Sequence, residues 1–307
     1  MSPQAAPIRF DGQVALVTGA GHGLGRAYAE NLAARGAALL VNNRRRPGDG
    51  GGSAEELAEE IRSRGGRALA NGERVDSPGA GTRMVEQALE AFGRLDILIC
   101  NAGLSSVRAF HRLTPVELRE LVEVNLWGSL APLHAALSPM REAGYGRILL
   151  TSSTAALFGD AGFSAYAAAK AAWIGLVPSL AAESAARGVA VNAIVPFALT
   201  RMTRRLFDQG HLPAESAEKM DPRRVADLAT WLVSRGCPVN GQLLIAGGGA
   251  LGRARMQASR GVALPAGASG PEAVAAEYVR LADMRGARAF ESGGEFLNAL
   301  VRRVLDA

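Results

Sequence analysis

The fold of this chain is decided at Gln13–Gly25, QVALVTGAGHGLG. An apolar run of strand length ends at Thr18, a glycine-rich turn follows, and an amphipathic helical pattern then continues through about Arg35. Glycines 19, 23 and 25 let the backbone turn sharply, approach a pyrophosphate without a Cβ in the way, and pack the helix on the sheet. The helix N-terminus then turns its free N–H donors toward the anion. Gly19, His22, Gly23, Leu24 and Gly25 are therefore candidate cofactor contacts. The competing reading is a tight structural turn, with His22 a solvated surface imidazole.

Outward from that turn the same rhythm repeats. The apolar runs AALLVN, RALAN, LDILIC, RILLTSS, VAVNAIV and GQLLIA are separated by helical patterns, among them Ala80–Phe92, a long region ending near Ala143, and Ala161–Arg187. Continuously apolar strands alternating with helices predict an α/β fold, a doubly wound parallel sheet of seven strands covered on both faces. Residues 43–53, NRRRPGDGGGS, and 197–222 interrupt the pattern, both after strands, on the side where open sheets bind ligands. After Gly247 the pattern changes to a linker-like ALPAGASG at 263–270 and helical patterns at about 271–284 and 294–306. The expected organisation is a dinucleotide-binding and catalytic domain over 1–250, then a linker and C-terminal helical extension over 251–307.

The chain has 307 residues, with 34 Lys plus Arg against 29 Asp plus Glu, a net charge of +5. Only Lys170 and Lys219 are lysines, which leaves 32 arginines. With 37 glycines, this bias fits a GC-rich coding habit, so a lysine kept against it is a candidate for being needed as lysine. Hydrophobic residues at 48% and charged ones at 21% place the chain among folded globular proteins. Its positive charge is spread out, without the stripe a nucleic-acid partner requires. Two cysteines, Cys100 and Cys237, give no disulfide framework and fit a reducing compartment. No basic-then-apolar leader opens the chain and no run approaches about 18 apolar residues. A cytoplasmic protein with no membrane partner, no nucleic-acid partner and no metal is expected.

Tyr166 and Lys170, in YAAAK, lie four residues apart on one helical face. A free phenol titrates near pH 10, and a neighbouring cation favours its ionised form. That makes Tyr166 a candidate general acid/base with Lys170 tuning it; the alternative is two half-exposed helix residues. Ser153, thirteen residues earlier at a strand end, can donate to a carbonyl oxygen. Asn125, in VEVNLWG, is a polar residue among apolar ones, either buried for a purpose or a satisfied core amide.

TGAGHGLG, ICNAG at Ile99–Gly103, Asn125, Ser153 and Tyr166 with Lys170, in that order and spacing, resemble the short-chain dehydrogenase/reductase family in its single-domain form, over about residues 10–250. The resemblance implies a Rossmann sheet in the order 3-2-1-4-5-6-7, a nicotinamide cofactor across its C-terminal edge, and hydride transfer to or from a carbonyl carbon. It implies that Tyr166 protonates the carbonyl oxygen, Ser153 holds it, Lys170 binds the nicotinamide ribose and Asn125 anchors a water that returns protons. Asn101, Ala102, Gly103, Pro196 and Thr200 complete the implied cofactor site, Thr200 at the carboxamide. Phe197 departs from the pattern, which has glycine after Pro196; the ring either lines the substrate pocket or simply packs. Cys100 stands where the family often has asparagine and reads as an inert core thiol.

Family members using NAD carry an acid at the end of the second strand, where this chain has Asn43 followed by Arg44, Arg45 and Arg46. A guanidinium offers a forked donor suited to a 2′-phosphate, so NADP(H) is favoured over NAD(H), unless the triplet is only a solvated loop. Arg74 and Val75 fall near the adenine, with Asp76 in play instead if the alignment slips by one. AEEIRSRGGRALANGERV, GYGRILLTSS and FALTRMT are most similar to the (3R)-hydroxyacyl-CoA dehydrogenase-like branch, which implies 3-hydroxyacyl or 3-oxoacyl thioesters. With the acid missing, an NADPH-dependent reductase of an apolar ketone or 3-oxoacyl-type substrate, CoA- or carrier-linked forms included, is the expectation. An apolar lid over 197–215, with Phe197, Leu199, Met202, Leu206, Phe207 and Leu212, fits it, and Arg201, Arg204 and Arg205 are within the same segment. The alternatives are an NAD-dependent (3R)-hydroxyacyl-CoA dehydrogenase, an epimerase, or a non-catalytic nucleotide-binding regulator. The family also implies a homodimer or homotetramer formed by the helices around Asn125 and Tyr166.

Overall fold

The computed structural model describes residues 6–45, 52–208, 212–265 and 267–305; Arg46 and the side chains of Arg205 and Leu206 lie outside the described set. Two compact units are present, Met1–Arg253 and Ala254–Ala307. The first begins with β1 (Val14–Val17), α1 (Gly23–Ala34), β2 (Ala38–Asn42), α2 (Ser53–Ser63), β3 (Arg67–Asn71), α3 (Ala80–Phe92) and β4 (Ile97–Cys100). Then come α4 (Pro115–Val122), a π-helical turn at Glu123–Trp127, α5 (Gly128–Glu142), β5 (Gly146–Thr151), α6 (Thr154–Phe158) and α7 (Ser164–Ser184). β6 (Val189–Phe197), α8 (Arg204–Asp208), α9 (Pro222–Leu232), β7 (Leu243–Gly247) and β8 (Ala250–Ala254) complete the series.

The sheet runs β3-β2-β1-β4-β5-β6-β7-β8 and is parallel from β3 to β7. Winding reverses between β1 and β4, and the crevice at their C-terminal ends is where doubly wound sheets take ligands. Every residue of β1, β2 and β4 is buried, because helices cover both faces. On one face Ala15, Val17, Leu39, Val41, Ile99 and Ile194 pack with Tyr28 and Leu32 of α1 and Val225 and Leu232 of α9. The alternate residues, among them Leu16, Leu98, Cys100, Leu150 and Val195, are equally buried toward α3, α5 and α7. Each such aliphatic side chain contributes roughly 1.5–3 kcal/mol by leaving water.

The expected seven strands are eight. β8 is an edge strand exposed along nearly its whole length, so it lacks the apolar run that marks the others. It follows β7 through Gly248 and Gly249, both at positive φ, the two-residue connection of an antiparallel hairpin. It also carries the first unit past residue 250. α7 with its continuation to Arg187 is long and apolar enough by length and composition to cross a membrane, where the sequence reading found no such stretch. Its apolarity serves the core: Trp173, Val177 and Leu180 are buried and it packs along β6.

The second unit holds α10 (Pro271–Ala276), α11 (Tyr278–Leu281) and α12 (Gly293–Leu305). An antiparallel bridge joins Ala258 to Arg288, and Phe290 meets Phe296 edge-on with centroids 5.1 Å apart. None of its described residues is fully buried.

Candidate active site

The glycine turn sits between β1 and α1, as its sequence requires. Gly19 and Gly23 adopt positive φ, and a Cβ on Gly25 would collide with the carbonyl of Gly19. No side chain caps α1 and no acidic residue lies in its first turn, so the N–H groups and positive dipole end are left for an anion. This chemistry fits a pyrophosphate. His22 is exposed at the N-cap position, while Leu24 packs against the core, so its contribution to the turn is backbone. Thr18 closes the turn against the next strand end: its Oγ1 accepts from the backbone N–H groups of Asn101 (3.0 Å) and Ala102 (3.1 Å). Asn101 Nδ2 returns bonds to the carbonyls of Thr18 and Gly19. Thr200 reaches the same turn, its methyl 3.2 Å from the point a Cβ on Gly23 would occupy.

Beyond Ala102 the chain passes Gly103, where Asn125 and Lys170 meet. A Cβ there would stand 2.8 Å from Asn125 Oδ1 and 3.4 Å from Lys170 Nζ. Asn125 lies in the π-helical turn, and its Nδ2 donates to the carbonyls of Leu104 (2.8 Å) and Leu121 (2.9 Å). Its Oδ1 accepts from Leu104 N at 3.2 Å. The π turn thus stands at the candidate cluster, and such irregularities are frequent at functional sites.

Ser153 caps α6, its Oγ accepting from Ala155 N at 3.2 Å, and its hydroxyl is near enough to Tyr166, on the first turn of α7, to favour the ionised phenol. The register of α7 is fixed by Ser152 Oγ, which donates to the Lys170 carbonyl (3.0 Å), and by Trp173 Nε1, which donates to Thr151 O (3.2 Å). Burial pushes the Tyr166 phenol up, and the Ser153 hydroxyl pulls it back in part. Burial also pulls the Lys170 ammonium down to about 8 and pushes the Cys100 thiol up to about 12. Against the expectation from Lys170, the phenol's loss of water sets an upward direction, eased only by Ser153. Ser153 and Tyr166 can present two hydroxyls to one oxygen acceptor, with an ammonium that remains charged at neutral pH one turn away.

At the other end of the crevice Asn43 Nδ2 donates to Ser53 Oγ at 2.6 Å, and a Cβ on Gly21 would collide with both groups. Arg45 lies along Gly72 and pairs with Glu55 through Nε (2.6 Å) and Nη2. Arg74 makes a forked pair with Asp76, at 3.1 and 2.6 Å, and Arg44 is within electrostatic reach of the same carboxylate. Arg74 and Asp76, alternatives in the sequence, are thus one unit. Val75 is buried against Gly128. Pro196 is half-buried at the end of β6. Sequence reasoning missed Thr18 and Ser152, for which no signal beyond their position at strand ends was present. It also missed the buried amide pair Asn42–Asn71, joined at 2.8 Å, which closes the ends of β2 and β3.

Residues 13–210 match the family described as short chain dehydrogenase. The chain is 39% identical over 261 residues to peroxisomal multifunctional enzyme type 2 of Mus musculus, covering 84% of this chain and 34% of that one. It is 36% identical over 280 residues to a short-chain type dehydrogenase/reductase of Mycobacterium tuberculosis, covering 90% and 96%. Among solved structures, full-length peroxisomal multifunctional enzyme type 2 of Drosophila melanogaster superposes with a TM-score of 0.83 at 29% identity, over 97% of this chain and 50% of that one. The chain thus spans about a third of the mouse enzyme and half of the Drosophila one, but nearly all of the mycobacterial protein. With this match laid over a cradle, a Ser–Tyr–Lys arrangement and a sheet of the implied order, the chain belongs to the short-chain dehydrogenase/reductase family, oxidoreductases that bind NAD or NADP.

Proposed function

We propose that the chain is an NADP(H)-dependent oxidoreductase that reduces an apolar ketone or 3-oxoacyl-type substrate. The observation that carries the reading is the convergence of Ser153 with Tyr166 and of Lys170 with Asn125 at the C-terminal edge of the sheet. The turn Gly19–Gly25 and the N-terminus of α1 hold the pyrophosphate, Asn101–Gly103, Pro196 and Thr200 the nicotinamide end, and Lys170 the adjoining ribose. When bound, the nicotinamide supplies a hydride to the carbonyl carbon. Ser153 Oγ and Tyr166 Oη hold the carbonyl oxygen, so the negative charge that develops there meets donors already in place. Tyr166 gives its phenolic proton to that oxygen, and the proton is restored from the Lys170 and Asn125 side beside Gly103.

The preference for NADP(H) rests on Asn43, a neutral carboxamide where an acid would repel a 2′-phosphate, and on the Arg44 guanidinium next to it. The NAD-linked (3R)-hydroxyacyl-CoA dehydrogenase reading has one observation in its favour: Glu55 and Asp76 already neutralise Arg45 and Arg74. Kinetics on a ketone and alcohol panel with both cofactors decide between them. A preference for NADH of tenfold or more, about 1.4 kcal/mol, sinks the NADP(H) reading. Substrate conversion with no net cofactor change would instead reveal an epimerase. A cytoplasmic homodimer or homotetramer built through α4, α5 and α7 completes the proposal, supported by the exposed Trp127 on the π turn.

A further inference from the structure

Side chains alternate between the two faces of a strand. On β6, Ile194 belongs to the cluster with Tyr28 and Val225, as does Ala198 just past the strand. Val191, Ala193, Val195 and Phe197 therefore point to the opposite face, the one covered by α7 with Tyr166 and Lys170. Phe197 is the last of them, half-buried at the catalytic edge, between Pro196 and the segment that brings Thr200 to the glycine turn. Its ring lies 6.1 Å from that of Phe207 on α8, tilted by 37°. Across the ladder it faces Gly247, where a Cβ would stand 2.9 Å from the Phe197 carbonyl and 3.1 Å from its Cβ, so the neighbouring strand offers no side chain to displace the ring. A glycine at 197 would leave this volume open.

We infer that the Phe197–Phe207 pair sets substrate shape: it admits a ketone carrying a slim, unbranched chain and excludes one with a branched or cyclic substituent next to the carbonyl. The inference rests on the proposed carbonyl reduction and deepens it. A phenyl ring presents 150–250 Å² of stiff apolar surface. A straight chain lies flat against it, whereas a branched carbon must push one ring of a packed pair aside. A single methylene in a filled apolar pocket already changes kcat/KM by roughly 10–200-fold.

The test uses the full chain and pairs a linear 2-alkanone with its isomer branched beside the carbonyl, both assayed with NADPH. The wild type should favour the linear ketone in kcat/KM by at least about tenfold. Phe197→Gly and Phe207→Ala should bring the ratio close to one, Phe197→Leu should retain it, and NADPH affinity should stay unchanged in all three. Calorimetric Kd values for the same ketones on protein loaded with NADP+ give the ratio independently of turnover. An absence of turnover then counts against the proposed function alone. The inference is overturned by equal binding of both ketones to the wild type, by an unchanged ratio in whichever of the two truncated variants folds, or by a loss confined to NADPH.

Discussion

Lys170 offers the sharpest test, because the burial that brings it to Asn125 beside Gly103 also weakens the fold. Its side chain is 2% exposed, and burial pulls its ammonium from 10.5 down to about 8. A gap of about 2.5 pH units at about 1.36 kcal/mol each makes the buried ammonium cost about 3 kcal/mol wherever it is charged in both the folded and unfolded chain. That condition holds below pH 8. Between about 8 and 10.5 the unfolded chain binds the proton more tightly than the folded one, so stability rises with pH across this window; above it the group is neutral in both states and the cost disappears. Lys170→Met keeps the length of the stem and removes the charge.

At pH 7 the variant should be more stable than the wild type by about 3 kcal/mol, with a Tm higher by about 5 °C, and should be inactive. The advantage should shrink steadily from pH 8 and nearly vanish by pH 10.5. Urea titrations of both proteins at half-unit steps of pH, followed by tryptophan fluorescence, give the difference directly, and titrating groups not coupled to Lys170 cancel in it. A variant that is less stable at pH 7, or a difference that does not change with pH, would refute the reasoning. The same titration predicts that wild-type kcat/KM declines above about pH 8 as the ammonium is lost.

Tyr166→Phe should lower kcat by about 10²–10⁴ while leaving cofactor affinity intact, and near-normal turnover would remove it from the proton-transfer role. Asn43→Asp should shift the ratio of kcat/KM toward NADH by about tenfold, or 1.4 kcal/mol; an unmoved ratio places cofactor selection elsewhere. Gly103→Ala puts a methyl 2.8 Å from Asn125 Oδ1, so kcat should fall at least about tenfold and overpacking should cost about 1–3 kcal/mol in denaturant titrations. Thr18→Val leaves the N–H groups of Asn101 and Ala102 without their acceptor; a stability loss of about 2–3 kcal/mol and weaker cofactor binding by fluorescence titration are expected, and unchanged stability would show the bonds to be dispensable.

Most of the frame was legible because its strands are buried on both faces, so runs such as VALV and ILIC have no polar interruption to confuse with a helix. The Tyr166 and Lys170 pair was legible because a helix converts a spacing of four into a shared face. β8 was not, since an exposed edge strand reading ALGRA carries no apolar signature. The π turn left one trace in the sequence, the polar Asn125 among Val124, Leu126 and Trp127, and no pattern of residues announces its altered hydrogen bonding. The pairings of Arg45 with Glu55 and Arg74 with Asp76 depend on how strand ends and helix starts are brought together, so the arginines looked freer in the sequence than they are. Burial of Tyr166 is likewise a tertiary property, and it reversed the direction expected from its charged neighbour alone.

The π turn at Glu123–Trp127 also constrains how this chain can change over generations. Each residue in an α-helix advances the phase by roughly 100°. Leu121 before the turn and Leu133, Ala136 and Met140 after it are all buried, a phasing that includes the wider turn between them. Deleting one residue there would restore a regular helix and keep α5 almost in phase with α4, since the remaining eleven steps from Leu121 to Leu133 turn through roughly 1100°, close to three full turns. Leu133, Ala136 and Met140 would stay in the core, while the widened turn that carries the Asn125 amide to Leu104 would be gone. A single deletion there spares the core and removes only the turn that presents Asn125, so the length of this segment is held by what Asn125 does and not by packing.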